Sequence, residues 1–287
     1  MADALTTVER PAAGAKDAEV ADATESARLR AISEVLRDIA RGGIAGILVG
    51  IFVAGLGGRL VMRLATILHE DTVGRRTEMD AIIGAMTLNG TLALLLFGGL
   101  GVGLMAAVLW VIVRPWLPGD GLGRAVITGG LAVTLGTPLL IQRTNPDFVI
   151  LGYDPVVVAL LLALVFAVGF SMAIADGWLD RRMPRSVLGD DPSAAGYLAL
   201  TFFGLFLILP VVVVAMIDDP NYRAPVRAGW GLLVVGLCTL AWWVLRARGR
   251  TEPPRALAIA GGVSLIVTAV LGIVTILPHL RVAIGMA

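Results

Sequence analysis

Two arginines four residues apart, Arg59 and Arg63, stand inside the apolar stretch "GGIAGILVGIFVAGLGGRLVMRLA" at 42–65. Four residues is close to one helical turn, so both guanidiniums project from one face. Each is always charged and offers a planar fork of donors that matches a carboxylate or a phosphate. In an apolar segment such a pair either snorkels to the nearby interface or grips an anion. The segment "QRTNPDF" at 142–148 adds Arg143, Asn145 and Asp147. Arg59, Arg63, Arg143, Asn145 and Asp147 form the candidate ligand-binding set, and its ligand would be a small anion or an anionic lipid headgroup.

Other chemistries fail on their own requirements, so no catalytic residue is assigned. The single lysine, Lys16, lies near the N-terminus, which excludes a Schiff base in an apolar helix. Ser171 falls about 24 Å along its helix at 1.5 Å per residue, too far from His279 at the end of the last apolar segment for a nucleophile and base to meet. His69–Glu70 lacks the second histidine of HExxH, and neither histidine lies deep enough in an apolar segment to hold haem. Cys238 is alone, so no disulfide or thiolate cluster forms within the chain. No cofactor and no metal is expected.

The elements that carry these residues follow from composition. Of the 287 residues 57% are hydrophobic and 16% charged, with a mean hydropathy of +0.86. So few charges cannot cover a soluble surface, and lipid must solvate the chain. The net charge of +1 offers no basic face for nucleic acid. A helix needs about 20 apolar residues to cross ~30 Å of hydrocarbon. Seven segments qualify, at 43–66, 90–113, 124–141, 155–178, 195–217, 228–247 and 256–278. Turn formers such as "LPGDG" and "TEPP" divide them, and Pro210 is expected to kink the fifth.

The expected fold is all-α, a polytopic seven-helix membrane bundle. Residues 1–25 read as a flexible cytoplasmic tail without a secretory signal. Residues 26–41 read as an amphipathic interfacial helix, with Leu29, Ile32, Leu36 and Ile39 on one face and Arg30, Glu34, Arg37, Asp38 and Arg41 on the other. Residues 42–287 form the membrane domain. Arginine bias orients it. Arg28, Arg30, Arg37, Arg41, Arg114, Arg124, Arg181, Arg182, Arg185, Arg246, Arg248, Arg250 and Arg255 share one side; Arg75, Arg76, Arg143, Arg223, Arg227 and Arg281 share the other. Thirteen against six places the N-terminus in the cytoplasm and the C-terminus outside. The preference for arginine over lysine, with abundant alanine and glycine, fits a bacterial chain of the plasma (inner) membrane.

Small residues at every fourth position mark close helix contacts in lipid. The row Gly42, Gly46, Gly50, Ala54 and Gly58 is the strongest; Ala159 to Ala175 and Ala256 to Gly272 repeat it more weakly. "LALLLFG" at 92–98 and "LALTFFG" at 198–204 raise the idea of an inverted repeat. The functional expectation is a transporter-like or binding membrane protein, not an enzyme, with an outward-facing arginine-lined pocket. The alternative is a non-catalytic scaffold or accessory subunit of a membrane complex. Expected partners are membrane lipids, a small anion or lipid headgroup, and a membrane protein or a second copy.

Overall fold

A computed structural model describes residues 13–68, 74, 88–140, 155–185, 187, 192–216 and 226–283. Among these residues the structure is helical apart from short connections, with no strand. Helix α1 (Ala13–Val49) continues through a π-helical segment (Gly50–Gly55) into α2 (Leu56–Leu68). Helix α3 (Leu88–Ala93) runs through a second π-helical segment (Leu94–Gly99) into α4 (Leu100–Val113), which closes in one 3₁₀ turn (Arg114–Trp116). Then come α5 (Gly121–Leu140), α6 (Pro155–Arg182), α7 (Pro192–Met216), α8 (Val226–Ala247) and α9 (Arg255–Ala283).

Five helical stretches are long and apolar enough to cross a membrane: Thr24–Leu68, Gly90–Trp116, Pro155–Arg182, Arg227–Ala247 and Arg255–Pro278. Such helices mark a membrane-embedded protein, since lipid tolerates only backbone that satisfies its own hydrogen bonds. Helix α5, of 20 residues, and α7, of 25, cover the two remaining apolar segments. Helix α7 continues past Pro210 without a break.

The 45 residues of Thr24–Leu68 reach about 68 Å, more than twice the hydrocarbon thickness. Residues 26–41 are thus one helix with the first span, and their packing follows the polar side. Ser33, Arg37 and Arg41 are buried, whereas Leu29 and Ile32 are 37% and 41% exposed. Helix α1 is the hub and packs against α4, α6, α7 and α8; α5 pairs with α6, and α9 with α8 and α5.

The glycine row of the first span is a real contact, with one change of register. A Cβ on Gly50 would meet Gly99 O and stand 2.8 Å from Gly103 Cα; one on Gly46 would meet Gly103 O. The next contact is Gly55, whose Cα would stand 3.1 Å from a Cβ on Gly99. The step from 50 to 55 is five residues because a π turn carries one extra residue. Gly58 therefore leaves the seam, and a Cβ there would meet nothing within 4 Å.

The weaker rows differ more. Ala159 and Ala163 are exposed, and α6 instead approaches α5 through Gly169, where a Cβ would stand 2.6 Å from Thr128 O. In α9 Ala256 and Ala260 are exposed, while Thr268 and Gly272 do pack, against Gly231 and Thr134. Alanine suits a lipid-facing surface as well as a seam, so its spacing alone is a weak guide. The two matching heptads also differ in backbone: 92–98 runs into a π turn and 198–204 is regular α-helix.

Candidate functional site: a charged layer at one pole of the bundle

The largest assembly of charge in the described structure lies where α1, α4, α6 and α8 meet at one pole. Arg41, 1% exposed, donates from Nε to Asp176 Oδ1 at 2.7 Å, pairs with Asp38 at 3.4 Å and also reaches Asp180. Arg37 pairs with Asp180 at 2.8 Å and donates to the carbonyls of Asp180 and Met183, at 2.7 and 2.9 Å. Arg114 reaches Asp38 at 3.2 Å and Asp176 at 3.5 Å. Arg246 reaches Asp38 at 3.2 Å and also holds Glu34. Four arginines (37, 41, 114, 246) thus balance four acids (34, 38, 176, 180).

Local sequence explains the placement. On α1 the spacing 34, 37, 38, 41 keeps all four charges on one face. On α6, Asp176 and Asp180 are four apart, and Asp176 lies about 32 Å from Pro155, one hydrocarbon thickness along the helix. The layer therefore sits at the membrane boundary, not at the midplane.

A fifth arginine stands apart. "RPWLPGDGLGR" ends α4 at Pro115 and turns through Gly119 and Gly121, whose φ values of +78° and +51° favour glycine. This brings Arg124, at the start of α5, beneath the end of α4. Its Nη2 donates to Arg114 O at 2.8 Å and Leu117 O at 3.2 Å, and its guanidinium carbon lies 5.9 Å from the Trp110 ring centroid. No carboxylate pairs with Arg124 among the described residues, and its buried Nε has no hydrogen-bond acceptor. Trp116 Nε1 donates to Thr239 Oγ1 at 2.8 Å and Thr239 Oγ1 donates to Ile112 O at 2.6 Å, which locks the end of α4 onto α8.

Between these parts lies a polar cavity of about 180 Å³, lined by Arg114, Arg124, Arg246, Asp38, Val111, Pro115, Trp242 and Trp243. Three guanidiniums face one carboxylate there. The arrangement can accept an anion, with Arg124 supplying donors and a charge that forms no ion pair among the described residues. Nothing in it resembles a nucleophile with a base.

The candidate residues chosen from sequence are only partly in view. Arg59, half-buried on α2, donates from Nε to Thr91 Oγ1 at 3.3 Å; Arg63 is exposed one turn on. Arg143, Asn145 and Asp147 lie outside the described residues. The polar layer at the opposite pole was missed, because Arg37, Asp38 and Arg41 read as the solvated face of a surface helix. One signal pointed to it. Asp176 is the sole acid in the apolar run 155–178, and an acid in such a run needs a partner.

Compared with known proteins, the chain matches no family model, no curated protein and no solved structure. Fold and site define a helical membrane protein with a charged polar layer at one pole.

Proposed function

We propose that the protein is a transporter-like or binding membrane protein for an anionic group, and that Arg124, Arg114 and Arg246 hold it. The observation that carries this reading is Arg124, which has no carboxylate partner among the described residues, on the wall of a cavity that holds two more arginines and a single aspartate. Guanidiniums in a site partly shielded from water attract an anion more strongly than on an open surface, and their planar forks favour phosphate or carboxylate over a spherical ion.

The proposed topology has seven membrane helices, with α5 and α7 added to the other five, the N-terminus in the cytoplasm and the C-terminus outside. Thirteen arginines against six support that orientation, in a bacterial plasma membrane. The charged pole then faces the cytoplasm. The pocket around Arg59, Arg63, Arg143, Asn145 and Asp147 would be a second, outward-facing anion site. It is favoured by the half-buried Arg59, which donates from Nε to Thr91 Oγ1 at 3.3 Å.

The alternative is a scaffold or accessory subunit, and the observation in its favour is the closed, neutral network of four arginines and four acids. Thermal unfolding of the purified protein in detergent separates the two. Inorganic phosphate at constant ionic strength should raise the melting temperature of the wild type above that in chloride, and Arg124→Gln should reduce the increment. An equal increment in Arg124→Gln, or none in the wild type, would leave the scaffold.

A further inference from the structure

Beside the polar cavity lies a second space of a different kind. Helix α4 makes few contacts with α5 and α6, and the gap between them is a cleft of about 190 Å³ with almost no polar wall. Val102, Ala106 and Trp110 line it from α4, Thr128 and Leu135 from α5, and Val168 from α6. From Val102 to Val113 it follows α4 for about 16 Å, roughly half of a ~30 Å hydrocarbon core. It is therefore one leaflet deep. Val102, at its far end, is 43% exposed, so the cleft opens sideways at the bundle surface. Its volume is below the ~300–1,000 Å³ of pockets that enclose drug-sized ligands. One flexible chain fits it; a bulky ring system does not.

Beside one end of this cleft stands Arg124, its guanidinium carbon 5.9 Å from the ring centroid of Trp110, which lines the cleft. On α5, Arg124, Thr128, Leu131 and Leu135 follow one another at helical spacing, so the guanidinium heads the same face that lines the cleft. Arg124 lines the polar cavity and Trp110 lines the cleft, so the contact between these two side chains joins the two spaces.

We infer that this cleft holds one acyl chain of an anionic phospholipid whose phosphate binds Arg124. The inference rests on the anion-binding reading of Arg124 given above. Its physical basis is the following. Hydrocarbon surrounds the bundle, so a dry apolar cleft open to it is filled by a lipid chain in preference to water or a void. Transfer from lipid to such a cleft has little hydrophobic drive, since the tails are already in an apolar medium. Selectivity must then come from the head. Arg124, which pairs with no carboxylate among the described residues, supplies a cation beside Trp110 at the edge of that cleft. The second chain stays in bulk lipid, which the lateral opening permits.

The test is native mass spectrometry of the detergent-purified protein titrated with phosphatidylglycerol, beside the inorganic-phosphate melting assay. The variants are Ala106→Phe, which fills the cleft, Val102→Trp, which closes its exposed mouth with little risk to folding, and Arg124→Gln. The wild type should bind phosphatidylglycerol in preference to phosphatidylcholine. Ala106→Phe and Val102→Trp should each weaken binding about tenfold or more while leaving the phosphate response intact. Arg124→Gln should weaken both. Wild-type phosphatidylglycerol binding by a folded Val102→Trp would overturn the cleft assignment and leave the anion reading standing. Absence of any phosphate response in the wild type would overturn the anion reading itself.

Discussion

Removing Arg41 isolates one specific carboxylate. Arg41 pairs with three acids, but two of them have substitutes: Asp180 keeps Arg37 at 2.8 Å, and Asp38 keeps Arg114 and Arg246, both at 3.2 Å. Among the described residues Asp176, 4% exposed, keeps only the looser Arg114 contact at 3.5 Å. Breaking a buried pair by deleting one partner costs about 3–5 kcal/mol, because the remaining charge has lost its solvent and its counterion. Arg41→Met should cost close to that range. Arg41→Met with Asp176→Leu should recover at least about 2 kcal/mol, since an apolar pair of similar volume carries no desolvation penalty. The assay is reversible unfolding in mixed micelles, followed by helical circular dichroism, on wild type, both single variants and the double. Additive losses, with no recovery in the double variant, would refute the claim that Arg41 serves chiefly to neutralise Asp176.

Three further outcomes are expected. Gly50→Ala should destabilise by about 1–3 kcal/mol, because its Cβ would collide with backbone across the seam, whereas Gly58→Ala, facing open space, should leave the melting temperature unchanged or slightly higher; equal effects would disprove the π-shifted register. In a Cys238→Ala background, Thr144→Cys should react with an impermeant thiol reagent in intact cells and Ser186→Cys should not, and the reverse pattern would invert the topology. At the outer site, Arg59→Lys should lower phosphate retention at that site as much as Arg59→Ala does if the guanidinium fork is what binds; lysine matching wild type would leave Arg59 a simple anchor.

The helices were legible because runs of about twenty apolar residues have few other ways to satisfy their backbone in lipid. The seam through Gly42, Gly46 and Gly50 was legible from its four-residue step. The five-residue step to Gly55 was not, because the π turn exists only in register with the second π-helical segment facing it. The charged pole was misread for a different reason. The spacing of Glu34, Arg37, Asp38 and Arg41 fits a solvated face and a buried face equally well. What decides between them is Asp176 and Asp180, 135 and 139 residues further along the chain from Arg41. Arg114, Arg124 and Arg246 each read as an ordinary arginine at a helix end, and only the packing of α4, α5 and α8 brings them around one cavity.

The central claim is that the arginines at this pole bind an anion, and its most direct measure is equilibrium dialysis with radiolabelled phosphate. The purified wild type, Arg124→Gln and Arg59→Gln should be compared in one detergent at fixed ionic strength. Saturable binding by the wild type that falls by one site in Arg124→Gln, with that site still filled in Arg59→Gln, is the predicted result. Saturable binding retained in full by Arg124→Gln, or no saturable binding by the wild type, would contradict it.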